Sequence, residues 1–144
     1  MSATPDPGLL ELATALDEIA TWIRRHGPPS ELSTTARTTL ARLAEQGPTR
    51  IGDLATQEGV TQPAMTGLVN RLAALGHVAR EDDPADARAS RVVLTAAGRE
   101  LVARRQQQRA EVLAVQLARL EPGDREAVLA ALPALRSLTR QTTA

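Results

Sequence analysis

Between Pro48 and Arg91 the sequence is punctuated so tightly that few folds can accommodate it. Two short amphipathic segments are separated by a glycine, and two strand-like runs follow, joined by the polar tip DDPADARASR. The first segment, PTRIGDLATQEG, opens with Thr49, whose hydroxyl suits a helix N-cap, and sets Ile51, Leu54 and Ala55 on one face at i, i+3, i+4 spacing. Gly59 stops it, since glycine takes the left-handed conformation that a sharp turn between helices needs, and Val60 follows as an apolar pin. The second segment, TQPAMTGLVNRLAAL, opens with Thr61 as cap and places Pro63 in the first turn, where a missing N–H costs nothing. Met65, Leu68, Val69, Leu72 and Leu75 form its buried stripe. Gly76 ends it, and His77 to Glu81 and Ser90 to Leu94 read as strands with Val78, Val92 and Leu94 turned inward.

The face of the second helix opposite its apolar stripe carries Gln62, Pro63, Thr66, Gly67 and Asn70, with Arg71 at the margin. These groups are small or hydrogen-bonding, allow close approach to base edges, and include the amides that pair bidentately with adenine. At the hairpin tip Arg88 follows Asp86 by two residues, a spacing at which the carboxylate can hold the guanidinium extended. An arginine so presented suits a narrow, electronegative minor groove. The pattern is a helix-turn-helix with a basic-tipped wing, and it points to double-stranded DNA.

The segments LSTTARTTLARL (Leu32 to Leu43), Leu54-Ala55, GVTQPAMTGLVNRL (Gly59 to Leu72) and GHVAREDDPADARASRVVLTAAG (Gly76 to Gly98) resemble the MarR family of bacterial winged-helix transcriptional regulators. The last segment is the most specific, matching the family's wing at Gly76, Arg80, Asp86, Arg88, Val92, Leu94, Thr95 and Gly98. The resemblance implies that Arg88 enters the minor groove, oriented by Asp86 and Arg80. It also implies terminal helices that intertwine in a homodimer, and control by a small amphipathic or phenolic effector.

Composition fits one compact chain over 1–144, with 42% hydrophobic residues, enough to bury a core. That core is aliphatic, because Phe and Tyr are absent and Trp22 is the sole aromatic residue. Without cysteine there is no disulfide and no thiol redox switch, and two distant histidines make no metal site. No cofactor is implied. No signal peptide or long apolar run is found, which implies a cytoplasmic protein with no membrane partner.

Charge argues the other way. Seventeen acidic residues balance seventeen basic ones, whereas nucleic-acid binders commonly carry a basic excess. All the basic residues are arginines, whose planar fork makes bidentate contacts to phosphate and guanine, so fewer suffice. Some of Glu81, Asp82 and Asp83 must therefore face away from phosphate or pair with Arg80 and Arg91. Arg99, Arg104, Arg105 and Arg109 form the densest basic run, read as the exposed face of a helix.

The flanks are helical. Leu9, Leu12, Ala13, Leu16, Ile19, Ala20 and Ile23 stripe a helix over 8–26 that Gly27-Pro28-Pro29 terminates. Thr95 caps a long helix reaching to about Leu120, Glu121 to Asp124 make a turn, and Pro133 kinks a final helix. The fold class is mainly α with a small β-wing: a winged helix-turn-helix over 32–95, flanked by dimerisation helices over 8–26 and 96–140. His26 is expected to interact with the helix end beside it. Trp22 is expected in the dimer core, and it is also the one candidate lining for an effector pocket.

Catalysis finds no support, with no Cys or Tyr, no phosphate loop and no His-x-x-x-His pair. Two classes compete: a dimeric, sequence-specific DNA-binding regulator acting as a repressor, and a winged-helix module that docks another protein without binding DNA. The polar outward face of Thr61 to Arg71 favours the first, since a docking face would expose leucines or aromatics. In that reading Gln62, Thr66 and Asn70 reach base edges of a pseudo-palindromic site, with Thr61 and Pro63 beside them. Ser33, Thr35, Arg50 and Arg71 hold phosphates, and Arg88 with Asp86 takes the minor groove.

Overall fold

The computed structural model describes residues 6–140. Along the chain these form α1 (Pro7–His26), α2 (Thr34–Gln46), β1 (Thr49–Arg50), α3 (Ile51–Glu58), α4 (Gln62–Ala74), β2 (Val78–Asp83) and β3 (Asp86–Leu94). Helices α5 (Ala96–Leu117), α6 (Pro122–Ala130) and α7 (Leu132–Arg140) follow. The architecture is mainly helical with one small antiparallel sheet, and the chain divides into two units. One is Pro28–Gln107, and the other draws on the chain up to Gly27 and from Gln108 onward.

The first unit holds the core. Ala36, Leu40 and Leu43 of α2, Leu54 and Ala55 of α3, and Met65, Leu68, Val69 and Leu72 of α4 are buried with Val78, Val92, Leu94 and Val102. Each fully buried Leu, Val or Met side chain among these contributes ~1.5–3 kcal/mol. Caps fix where the helices begin: Ser33 Oγ accepts from the Ala36 N–H at 3.2 Å, and Thr61 Oγ1 from the Ala64 N–H at 3.3 Å. Gly59 ends α3 at φ 65°, in the left-handed region, and the chain turns at once into α4. Val60 packs against the core as the pin between them.

Four local expectations are corrected here. Thr49 does not cap α3, because Thr49 and Arg50 pair with Val92 and Arg91 as a third strand, giving the sheet order β1-β3-β2. The Thr49 hydroxyl donates instead to the Gly47 carbonyl at 2.9 Å. Leu75 is not in the buried stripe: α4 ends at Ala74, and Leu75, as its C-cap, is 59% exposed. The hairpin strands are longer than their apolar residues suggest, and the turn shrinks to Pro84 and Ala85. His77 precedes β2 instead of belonging to it.

Thr95 caps α5 as its sequence implies, accepting from the Gly98 N–H at 3.0 Å while its hydroxyl donates to the Gly76 carbonyl at 2.6 Å. The start of α5 is thereby tied to the turn that follows α4. Gly98 lies so close to that turn that a Cβ built on it would come within 2.0 Å of the His77 carbonyl oxygen.

In the second unit, neither α1 nor α6 has a buried residue. Leu9, Leu12, Leu16 and Ile19 of α1 are exposed, as are Val115, Val128, Leu129, Leu132 and Leu138. Pro122 to Asp124 do not form a separate turn but open α6, Pro122 standing in its first turn where its fixed φ fits. The expected kink takes the form of a one-residue interruption at Ala131, which keeps helical dihedrals and separates α6 from α7 two residues before Pro133. Among the described residues no helix is long and apolar enough to cross a membrane.

Candidate nucleic-acid interface

Helix α4 presents the polar face that its spacing implies. Thr61, Gln62, Pro63, Gly67, Asn70 and Arg71 are exposed, and Thr66 is half-buried with its hydroxyl donating to the Gln62 carbonyl at 3.0 Å. Nothing lies within 4 Å of a Cβ built on Gly67, so the middle of this face is open. Among the described residues of this unit, Leu75 is the one large hydrophobic side chain that is exposed.

The wing's geometry follows from its register. β2 and β3 pair regularly from Val78↔Leu94 to Asp82↔Ser90, and then Asp83 pairs with Asp86. Ala87, Arg88 and Ala89 therefore have no counterpart on β2, and Arg88 is the middle residue of this excess. Such a bulge re-aims the side chains it carries. Asp86 supports Arg88 differently from the expectation: Asp86 Oδ1 accepts from the Arg88 backbone N–H at 3.0 Å, so the carboxylate fixes the chain, not the guanidinium. Arg80 does not join them. Its guanidinium donates to Asn70 Oδ1 at 2.9 Å, linking the wing to α4.

Arg50, expected to hold phosphate, has an intramolecular partner that the sequence pattern did not reveal. Its Nε donates to Asp83 Oδ2 at 2.6 Å, while Asp83 Oδ1 accepts from the Ala85 N–H at 2.9 Å. One buried carboxylate thus shapes the wing's turn and latches it to the start of α3. The Arg50 side chain remains 44% exposed. The Asp83-Pro84 pair is a turn-forming signal that could have suggested the first role, but nothing local suggests the second. Ser33 and Thr35 belong to the first turn of α2, where Ser33 is exposed and Thr35 half-buried.

The Ala85 N–H, and then Arg50, hold the Asp83 carboxyl below the usual carboxylate range, and Asp83 in turn raises Arg50. A carboxylate with a lowered folded pKa adds stability that is fully present above its unfolded pKa, about 4, and is lost as pH falls through the folded value. Asp83→Asn keeps an oxygen for the Ala85 N–H but loses the charge. The wild-type protein should therefore melt higher than this variant at pH 7, and the gap should close as the pH is lowered past about 4. A gap that stays constant down to pH 3 would show that the ion pair does not hold the wing.

Pairing also bears on the balanced charge. Glu58 is held by Arg42 at 2.8 Å, Glu81 by Arg91 at 2.6 Å, Asp83 by Arg50, and Glu100 more loosely by Arg104 at 3.5 Å, so four carboxylates of this unit are answered within the fold. The expected partnership of Arg91 with a wing acid is present. Arg99 and Arg105 are turned to the fold as well, onto the Leu94 carbonyl and Ser30 Oγ at 3.0 and 2.8 Å. Arg71 and Arg88 stand exposed on the helix and the wing.

In the other unit, Trp22 is half-buried and its ring stacks on His26, centroids 4.8 Å apart. His26 Nδ1 lies 3.0 Å from the Trp22 carbonyl oxygen, the helix-end interaction anticipated for it. Trp22 also lines a cavity of about 510 Å³ together with Glu18, Ile19, Leu113, Leu117 and Val128.

The family model described as MarR family matches residues 32–90. An uncharacterized HTH-type transcriptional regulator of Mycobacterium bovis is 31% identical over 132 residues, which cover 92% of each chain. The crystal structure of the transcriptional regulator Tm0710 from Thermotoga maritima matches at a TM-score of 0.76 and 26% identity, over 92% of this chain and 96% of its own. BpsR from Bordetella bronchiseptica, whose DNA binding is regulated by 6-hydroxynicotinic acid, matches at a TM-score of 0.59 and 26% identity, over 94% and 96%. The chain belongs to the MarR family of winged-helix, DNA-binding transcriptional regulators.

Proposed function

We propose that this protein is a dimeric, sequence-specific repressor that binds a pseudo-palindromic DNA site and responds to a small-molecule effector. The observation that carries the reading is the open polar face of α4 beside a wing whose bulge presents Arg88. Gln62, Thr66 and Asn70 face base edges in the major groove, flanked by Thr61 and Pro63. Arg71, Ser33, Thr35 and the exposed part of Arg50 meet phosphates, and Arg88, on the turn that Asp86 fixes, enters the minor groove. The DNA-binding region is 32–95, and 8–26 with 96–140 form the dimerisation region. The protein-docking alternative is disfavoured because no large hydrophobic side chain is exposed between Gln62 and Ala74 of α4.

The test is binding to labelled DNA from upstream of the protein's own gene, with scrambled DNA as competitor. Retention of the labelled site at a large excess of competitor is the expected result. Equal competition by scrambled DNA at that site and at every genomic site tried would leave the docking module as the better account.

The exposed leucines of α1 are matched to a second copy of the chain, because two-fold symmetry brings identical apolar faces together. Leu12→Arg combined with Leu16→Arg should shift the sedimentation mass from dimer to monomer at micromolar concentration. A dimer unaffected by both changes would rule α1 out of the interface. Effector binding belongs to the same region: the Trp22 cavity suits a small planar amphipathic molecule, and BpsR supplies the precedent of a hydroxylated pyridine carboxylate. A ligand that prefers one spacing of the two α4 helices in the dimer would shift that population and with it the affinity for DNA.

A further inference from the structure

We propose that Arg80 sets which base Asn70 reads, by drawing the oxygen of its carboxamide to the wing and so orienting its donors; this rests on the DNA-binding reading above. Arg80 donates to Asn70 Oδ1 at 2.9 Å. A guanidinium has donors only, so the amide atom facing it must be the oxygen, and the nitrogen with its two hydrogens is turned the other way. Asn70 is exposed on the same face of α4 as Gln62 and Thr66, about two turns beyond the first and one beyond the second.

A free asparagine matches adenine, accepting from N6 and donating to N7. With its oxygen turned to the wing and one lone pair engaged there, Asn70 leads with the two donors of its amide nitrogen. Guanine meets them with two acceptors, O6 and N7, whereas adenine offers N7 and sets its own N6 donor against the second hydrogen. The side chain that reads adenine by residue type therefore selects guanine in this fold. Arg80 is a positioning residue here, because it acts through Asn70.

The experiment selects binding sites from a random double-stranded DNA library with the full-length protein, then titrates single-base variants of the enriched site. Asn70→Ala identifies the base pair concerned, as the position where preference disappears. The wild-type protein should favour guanine over adenine there by roughly fivefold or more. Arg80→Ala, which frees the oxygen, should reverse the preference, and Arg80→Lys, still a donor only, should keep it. Asn70→Asp keeps a partner for Arg80 but has no donors, and should lose the guanine preference even if Arg80→Ala does not fold. An unchanged guanine-to-adenine ratio in Arg80→Ala, with affinity lowered equally for all sites, would make Arg80 a phosphate contact and overturn the inference. A wild-type preference for adenine, or no position altered by Asn70→Ala, would overturn it too. Failure of the wild-type protein to enrich any sequence would instead remove the DNA-binding reading itself.

Discussion

Replacing Arg88 by Ala should lower affinity for the operator by a factor of roughly 10 to 100 and leave the melting temperature unchanged. A charge-assisted hydrogen bond is worth ~1.5–3 kcal/mol, and a narrow minor groove concentrates negative potential around the inserted cation. The fold should not register the loss, because Arg88 is exposed and lies in the stretch of β3 without a β2 partner. What fixes the tip is the Arg88 backbone N–H on Asp86 and the latch between Asp83 and Arg50, and alanine leaves both in place. Equilibrium titration of operator and scrambled DNA, beside a thermal melt, separates the two effects. Full affinity in the variant would remove the wing from the account of binding.

Gly98→Ala should cost about 3 kcal/mol of folding stability or more, at the upper end for overpacking. The added methyl would come within 2.0 Å of the His77 carbonyl oxygen and 3.1 Å of Leu94 Cδ2. The first of these is backbone, held where it is by the Thr95 N–H at 3.1 Å, so it cannot swing aside like a flexible side chain. To relieve the contact α5 must lift away from the strands and give up the Thr95 bond to Gly76. A drop of ~10 °C or more in the unfolding midpoint is the expected result. A midpoint within about 2 °C of wild type would mean that α5 accommodates the methyl group without leaving its seat.

Local chemistry made most of the unit Pro28–Gln107 legible. Gly59, Thr61, Gly76 and Thr95 announce helix ends through effects confined to a few neighbouring residues, and the α4 stripe follows from periodicity up to Leu72. What stayed hidden depends on partners distant in sequence. Arg50 and Asp83 are 33 positions apart, and the two-residue strand β1 exists only because β3 is there to receive it. Leu75 satisfied the apolar spacing but fell one residue beyond the helix, where periodicity no longer says which way a side chain points. The wing acids illustrate the same limit: pairing Glu81 with Arg91 could be anticipated in kind, whereas Arg80 found a neutral amide on another element. Backbone closeness is invisible to pattern altogether, so Gly98 could be placed in a motif without its steric reason.

The three unmatched residues of β3 also separate two kinds of inheritance. Because the ladder from Val78↔Leu94 to Asp82↔Ser90 closes before they begin, losing or gaining one residue among Ala87, Arg88 and Ala89 would not slide Val92 or Leu94 to the opposite face of the sheet. The reach of the tip can drift by insertion and deletion while the hydrophobic register beneath it is left intact. Such a hairpin lets descendants of one scaffold explore grooves of different width without having to rebuild a core.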